Sequence, residues 1–157
     1  MNLDSNEIIP SRLWLGGFIR PKDVELLKRA LITTVLSLQT DEDMIHCGIE
    51  PGKLAKSYEE ADIELRRLPV RDFDKDGLAD RLPSCVSELE DVLQAGWTRV
   101  YLHCTAGINR SPTVAAAYLI RTQGISAREA CDFIVSKRHC SPYLEVLENY
   151  RESLRHA

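Results

Sequence analysis

Short apolar runs separated by polar segments predict the strands of this chain. Each run is four to nine residues long and rich in branched side chains, a composition typical of buried strands. The first run ends at a pair of glycines, and the third ends near Pro69. The predicted strands lie within residues 9–17, 31–38, 63–70 and 99–102.

Apolar residues spaced three or four apart predict helices after most of these strands. The predicted helices cover residues 21–30, a segment near 53–60, the stretch from Leu82 to residue 96, and residues 113–120. Ser126 and Glu129 form a capping-box pattern, which predicts a further helix with Cys131 on its buried face. A last helix is predicted to begin at residues 141–142. The remainder of residues 39–62 and the charged segment 71–77 are predicted loops. Strands that alternate with helices predict an α/β sheet flanked by helices, and the absence of repeats and linkers predicts one domain over residues 1–157.

The composition and charge of the chain argue against several classes of binding partner. The chain is 44% hydrophobic and 28% charged, and 20 basic against 24 acidic residues give a net charge of −4. No basic stripe indicates nucleic-acid binding, and no run approaches the roughly 20 apolar residues of a membrane span. The polar, acidic N-terminus differs from a signal peptide, so we expect a cytoplasmic protein, and a monomer. Five cysteines without a C-x-x-C pair, and four scattered histidines, favour neither a disulfide framework nor a metal site.

Residues 103–111, with the sequence HCTAGINRS, carry the chemistry of the chain. They lie between a predicted strand and an apolar helix whose first turn contains Pro112. A loop that enters a helix N-terminus directs several backbone N–H groups into one concavity, which favours a phosphate oxyanion or a thiolate. Gly107 allows a tight turn around the ligand, and the planar guanidinium of Arg110 can contact two phosphate oxygens. Cys104 is therefore the candidate nucleophile, Ser111 can donate a hydrogen bond to its sulfur, and His103 orients the loop.

This stretch resembles the H-C-x-A-G-x-x-R-S signature of the cysteine-dependent dual-specificity protein phosphatases. The opening of the chain, I-x-x-x-L-[aromatic]-L-G, is similar to the start of their catalytic domain. The resemblance implies a central, mixed, mostly parallel sheet of four to five strands flanked by helices. It also implies a phosphate cradle formed by Thr105, Ala106, Gly107, Ile108, Asn109 and Arg110, and a reaction without a cofactor.

A carboxylic acid on a facing loop must protonate the leaving oxygen and later activate water. Asp72, Asp74 and Asp76 are candidates, and the family places its acid on the loop after the preceding strand. We therefore predict Asp72, with Asp74 as the alternative.

The substrate remains open between two classes. The small domain and the uncharged cradle residues favour phosphotyrosine, phosphoserine and phosphothreonine proteins over polyphosphorylated lipids. The segments around Asp72 and residues 136–142 are also similar to plant glucan phosphatases and laforin, which implies starch or glycogen as the alternative substrate, with Phe73, Tyr143 and Trp14 as possible sugar-stacking surfaces. Asn109 departs from that branch, which has glycine there.

A catalytically inactive phosphate-binding module is a further hypothesis for the function of the chain. In addition, Cys85 or Cys140 could form a disulfide with Cys104 under oxidation.

Overall fold

The computed structural model describes residues 1–156 as a five-stranded sheet with helices on both faces. The strands are β1 (Ser5–Ile9), β2 (Leu13–Gly16), β3 (Thr34–Ser37), β4 (Glu64–Arg67) and β5 (Val100–His103). The α-helices are α1 (Val24–Arg29), α2 (Asp41–His46), α3 (Pro51–Glu60), α4 (Lys75–Gln94), α5 (Arg110–Gln123), α6 (Ala127–Lys137) and α7 (Leu144–Arg155), and a short 3-10 turn, Pro21–Asp23, precedes α1. None of the helices in this part of the chain is long and apolar enough to cross a membrane.

The sheet has the order β1-β2-β5-β3-β4, and only the β1–β2 pair is antiparallel. The predicted α/β fold with a mixed, mostly parallel sheet is therefore confirmed. The last residues of the four parallel strands are in register, because Gly16 and Ser37 both pair with His103, and Ser37 pairs with Arg67. Segments that follow these strands consequently meet at one edge of the sheet.

Alternating side chains of the strands enter two separate hydrophobic cores. Leu15, Leu36 and Leu102 pack with α4 to α7, whereas Val35 and Tyr101 pack on the other face with α1 and α3. Strand β5 is central in the sheet and all four of its residues are buried. The loop that follows β5 thus starts from the central, buried strand of the sheet.

Several boundaries differ from the sequence prediction. Strand β1 was not predicted, since it is an edge strand in which only Ile8 is fully buried and the other positions are mostly polar. Helix α2 lies in a segment predicted as loop, and its capping box of Thr40 and Asp43 was overlooked. Helix α4 begins at Lys75, inside the predicted charged loop, because Asp74 caps it, and α7 begins at Leu144 rather than at residues 141–142. The predicted Ser126–Glu129 capping box is present at α6.

Candidate active site

The loop of residues 104–109 connects β5 to α5 and forms a concave surface at the carboxyl edge of the sheet. Each of its six carbonyl oxygens accepts a hydrogen bond from the surrounding structure. The donors, in chain order, are His103 Nδ1 (2.8 Å), Phe18 N (2.9 Å), Arg138 Nη2 (3.1 Å), Arg138 Nε (2.9 Å), Ser141 N (2.8 Å) and Thr113 N (3.1 Å). In a trans peptide the N–H points opposite to the C=O. The N–H groups of residues 105–110 are therefore directed away from these donors, toward the side where an anion would bind.

Gly107 is required by this geometry. Its φ is +68°, and an added Cβ would lie 2.6 Å from the carbonyl oxygen of Gly16. A side chain at this position would therefore collide with the main chain of Gly16 at the end of β2. The loop also binds the segment that follows β2, because Phe18 N–H donates to Thr105 O at 2.9 Å.

Cys104 lies at the base of the cradle and is 2% exposed. Its Sγ is 3.2 Å from the Oγ of Ser111, which is fully buried in the first turn of α5. The hydroxyl can donate to a thiolate, which has no proton of its own to give. This contact places Ser111 where it can stabilise negative charge on the sulfur.

Arg110 is 1% exposed and is held by three groups from different elements. Its Nη1 donates to Asp43 Oδ2 and to Val70 O, both at 2.7 Å, and its Nη2 donates to Thr105 Oγ1 at 3.2 Å. The Nε makes no hydrogen bond within residues 1–156. The guanidinium plane is thus fixed while donor capacity remains for a phosphate oxygen.

Asp43 is a site residue that the sequence analysis missed. Burial opposes ionisation of its carboxyl group, but hydrogen bonds from Arg110 and Thr40 outweigh it and leave the pKa of Asp43 below its ordinary value. It therefore stays ionised beside Arg110. The Thr40-x-x-Asp43 spacing, directly after an apolar strand, was the signal that could have located it.

The two candidate acids occupy different environments. Asp72 lies after β4, with Oδ1 at 3.4 Å from Arg110 Nε and with one third of its side chain exposed (33%). Asp74 instead caps α4, because its Oδ1 accepts from Gly77 N at 2.9 Å. Asp76 lies in the exposed first turn of α4. Of the three, Asp72 is the carboxylate that the structure places in contact with Arg110.

His103 is fully buried behind the cradle. Burial, only partly opposed by the hydrogen bond to the Cys104 carbonyl, lowers the pKa of His103 to about 4. The imidazole is therefore neutral near pH 7, and its Nδ1 must carry the proton because a carbonyl can only accept. This geometry suits an orienting role better than acid or base chemistry.

The remaining predicted residues are dispersed. Phe73 is 80% exposed beside Asp72, and Tyr143 is half-buried, with Lys75 Nζ 5.1 Å from the centre of its ring. Trp14 is buried in the core and cannot stack on a sugar. Asn109 turns its side chain toward Ser141, donating to that carbonyl at 2.8 Å. Among the cysteines, Cys85 belongs to the hydrophobic core and Cys140 is half-buried, and both are free thiols.

Comparison with known proteins gives consistent matches over nearly the whole chain. The family model "Dual specificity phosphatase, catalytic domain" matches residues 13–155. The chain is 36% identical over 152 residues to the amyloplastic phosphoglucan phosphatase DSP4 of Castanea sativa, covering 95% of this chain and 40% of that protein. It is 31% identical over 153 residues to the dual specificity protein phosphatase Mpk3 of Drosophila melanogaster, covering 95% and 34%. The chain therefore spans less than half the length of these curated relatives.

Among solved structures, that of human DUSP28 superposes with a TM-score of 0.73 at 27% identity, covering 99% of this chain and 97% of that one. The fold described above is thus similar to that of a solved structure over nearly the whole chain.

Proposed function

Because this chain belongs to the dual specificity phosphatase catalytic-domain family, as its signature predicted, we propose that it hydrolyses phosphate monoesters on phosphotyrosine, phosphoserine and phosphothreonine proteins. The observation that carries the proposal is the cradle itself. The six loop carbonyls accept hydrogen bonds from behind, so six N–H groups face one anion, with the buried Arg110 beside Thr105 and Cys104 at the base. A dianionic phosphoryl group satisfies all of these donors.

In the first step, the Cys104 thiolate attacks phosphorus opposite the leaving oxygen. The loop N–H groups and Arg110 bind the equatorial oxygens, where negative charge accumulates in the transition state. The P–O bond to the substrate breaks as the S–P bond forms, and Asp72 transfers its proton to the departing oxygen. The product is a cysteinyl-phosphate and a free hydroxyl group on the substrate.

In the second step, water hydrolyses the cysteinyl-phosphate. Asp72, now a carboxylate, takes a proton from the water as its oxygen bonds to phosphorus, and the S–P bond breaks. The electron pair returns to sulfur as a thiolate. The Oγ of Ser111, 3.2 Å from the sulfur, donates a hydrogen bond that stabilises this charge.

A second candidate function is dephosphorylation of starch or glycogen. It is favoured by the 36% identity to a phosphoglucan phosphatase and by an exposed aromatic ring, Phe73, beside the proposed acid. Phe73 could stack on a sugar face next to the phosphate. Asn109 is the counter-argument from the sequence, since the glucan-type cradle has glycine before its arginine.

Phosphate release from three substrates separates the two functions. A phosphotyrosine peptide, a phosphothreonine peptide and solubilised starch are each incubated with the wild-type protein, Cys104→Ser and Asp72→Asn. Release from the peptides that is lost with Cys104→Ser supports the primary proposal. Preferential release from starch moves the assignment to glucan, and release that survives Cys104→Ser contradicts the mechanism.

A further inference from the structure

We propose that Arg138 is a positioning residue for catalysis. It holds the phosphate-binding loop from behind in the conformation that binds an anion. Asp4 and Asn6 of the N-terminal segment hold Arg138 itself in place. The proposal rests on the proposed function, because it concerns the same loop. It adds three residues that no resemblance assigned to the site. Asp4 and Asn6 lie before residue 13, where the family match begins.

Arg138 lies at the end of α6 and is buried, with its side chain 4% exposed. The three nitrogens of its guanidinium group donate hydrogen bonds to two different parts of the molecule. Nε donates to Gly107 O at 2.9 Å and Nη2 donates to Ala106 O at 3.1 Å, whereas Nη1 donates to Asp4 Oδ1 at 3.0 Å and to Asn6 Oδ1 at 3.1 Å. The guanidinium therefore joins the cradle to the segment that forms β1.

The two carbonyls that Arg138 binds belong to the peptides on either side of Gly107. These peptides carry the N–H groups of Gly107 and Ile108, so fixing each carbonyl behind the loop fixes the corresponding N–H toward the anion. Gly107 must be glycine, because a Cβ would lie 2.6 Å from Gly16 O. Glycine, however, populates many backbone conformations, and its flanking peptides rotate at low cost. Arg138 therefore binds the loop at Gly107, where the backbone of the loop is intrinsically least restricted.

Arg138 also contributes charge. Its guanidinium is buried directly behind the cradle, where positive potential is screened less than at the surface and favours both a phosphate dianion and the Cys104 thiolate. Asp4 is the only carboxylate paired with it within the described residues, and the side chain of Asp4 is 74% exposed. Solvent screens that carboxylate more than the buried guanidinium, so a net positive contribution remains at the loop.

Arg12 provides a matched control. It is a half-buried arginine that, like Arg138, binds main-chain carbonyls, donating to Thr98 O, Leu93 O and Ala95 O at 2.8 Å each. None of these carbonyls belongs to the cradle. Arg12→Met should therefore cost similar folding stability without altering the active site.

The experiment compares the wild-type protein with Arg138→Met, Arg138→Lys and Arg12→Met. Four properties are measured for each protein: the midpoint of thermal unfolding, the turnover of p-nitrophenyl phosphate, the dissociation constant of orthovanadate, and the pH profile of Cys104 alkylation by iodoacetamide. For Arg138→Met we expect kcat to fall about 10- to 100-fold and vanadate to bind about 10-fold more weakly, as for loss of oriented donors. The alkylation profile should move to higher pH. Arg138→Lys should recover part of the charge effect but little of the kcat, because lysine cannot bind both carbonyls in one plane.

Retention of kcat, vanadate affinity and alkylation profile in Arg138→Met would overturn the proposal, as would equal losses in Arg12→Met. If Arg138→Met does not fold, the double variant Asp4→Ala/Asn6→Ala tests the proposal instead, because it keeps the arginine and removes the two side chains that anchor it. A fall in kcat of about threefold or more supports the proposal, and an unchanged kcat overturns it. Vanadate binding and alkylation need no turnover. A wild-type protein that binds vanadate but releases no phosphate would therefore contradict the proposed function while the positioning role is still tested.

Discussion

The loop of residues 104–109 and the loop of residues 71–74 face each other across the site, and they are built in opposite ways. Every carbonyl of the first is hydrogen-bonded, and Cys104, Arg110 and Ser111 around it are buried. The second is open to solvent, with Phe73 80% exposed and Asp72 contacting Arg110 only at 3.4 Å. In the proposed mechanism, anion binding and nucleophilic attack thus depend on a preorganised element, whereas proton transfer depends on a partly exposed side chain. Substitutions in the two loops should therefore fail in different ways.

The largest effect is expected from Arg110→Lys, in the preorganised loop. Lysine supplies a point charge but cannot reproduce the contacts of the guanidinium with Asp43, Val70 and Thr105 while also binding phosphate. We expect kcat/KM to fall about 1000-fold, comparable with the loss of an oxyanion donor. Steady-state kinetics with p-nitrophenyl phosphate measures this, and a fall of less than about tenfold would contradict a preorganised cradle.

The facing loop is tested by Asp72→Asn with the leaving group as a variable. A general acid matters most when the leaving oxygen is basic, so hydrolysis of phenyl phosphate should slow about 100-fold and that of p-nitrophenyl phosphate much less. Asp74→Asn is the matched control, because asparagine caps a helix as well as aspartate does. An Asp74→Asn variant that shows the leaving-group dependence would transfer the acid role to Asp74.

The comparison of the two loops also explains what the sequence could predict. The strand, the cradle and the start of α5 are contiguous, so the types and spacing of a few residues were enough to predict that Cys104, Arg110 and Gly107 belong to one site. The choice between Asp72 and Asp74 required the end of β4 and the cap of α4, and neither boundary is marked by an apolar residue. The identity of Asp72 as the acid stays a prediction until it is measured.

Residues that act on the cradle from distant elements were beyond the sequence analysis. Arg138 lies at the end of α6, and Asp4 precedes an edge strand whose polar residues gave no alternating pattern. Their proximity to Gly107 is created by tertiary packing, which periodicity does not encode. Asp43 was accessible in principle, since its capping box with Thr40 is a local signal.

A smaller effect, on stability rather than on turnover, is expected from His103 behind the cradle. The pKa of His103 is about 4 in the folded protein against an ordinary value of 6.5, so the unfolded chain binds a proton that the folded protein does not. Its contribution is complete above pH 6.5 and is lost as pH falls toward 4, by about 3 kcal/mol in the free energy of unfolding. Asparagine can still donate to the Cys104 carbonyl but does not titrate. Urea unfolding from pH 7 to pH 4 should therefore show a flatter profile for His103→Asn, and parallel profiles would refute the assignment of a neutral imidazole.

The smallest effect is expected from Asp43, which links the preorganised loop to α2. Asp43→Asn keeps an acceptor for Arg110 Nη1 but exchanges a charged hydrogen bond for a neutral one, so kcat should fall about threefold. Asp43→Ala removes the acceptor and leaves Val70 O as the remaining partner of that nitrogen, so kcat should fall about tenfold. Because the removed carboxylate also repelled phosphate, vanadate affinity should change less than kcat in both variants. Recovery of most of the rate by asparagine would identify Asp43 as a positioning group, whereas equal losses in the two variants would show that its charge is what Arg110 requires.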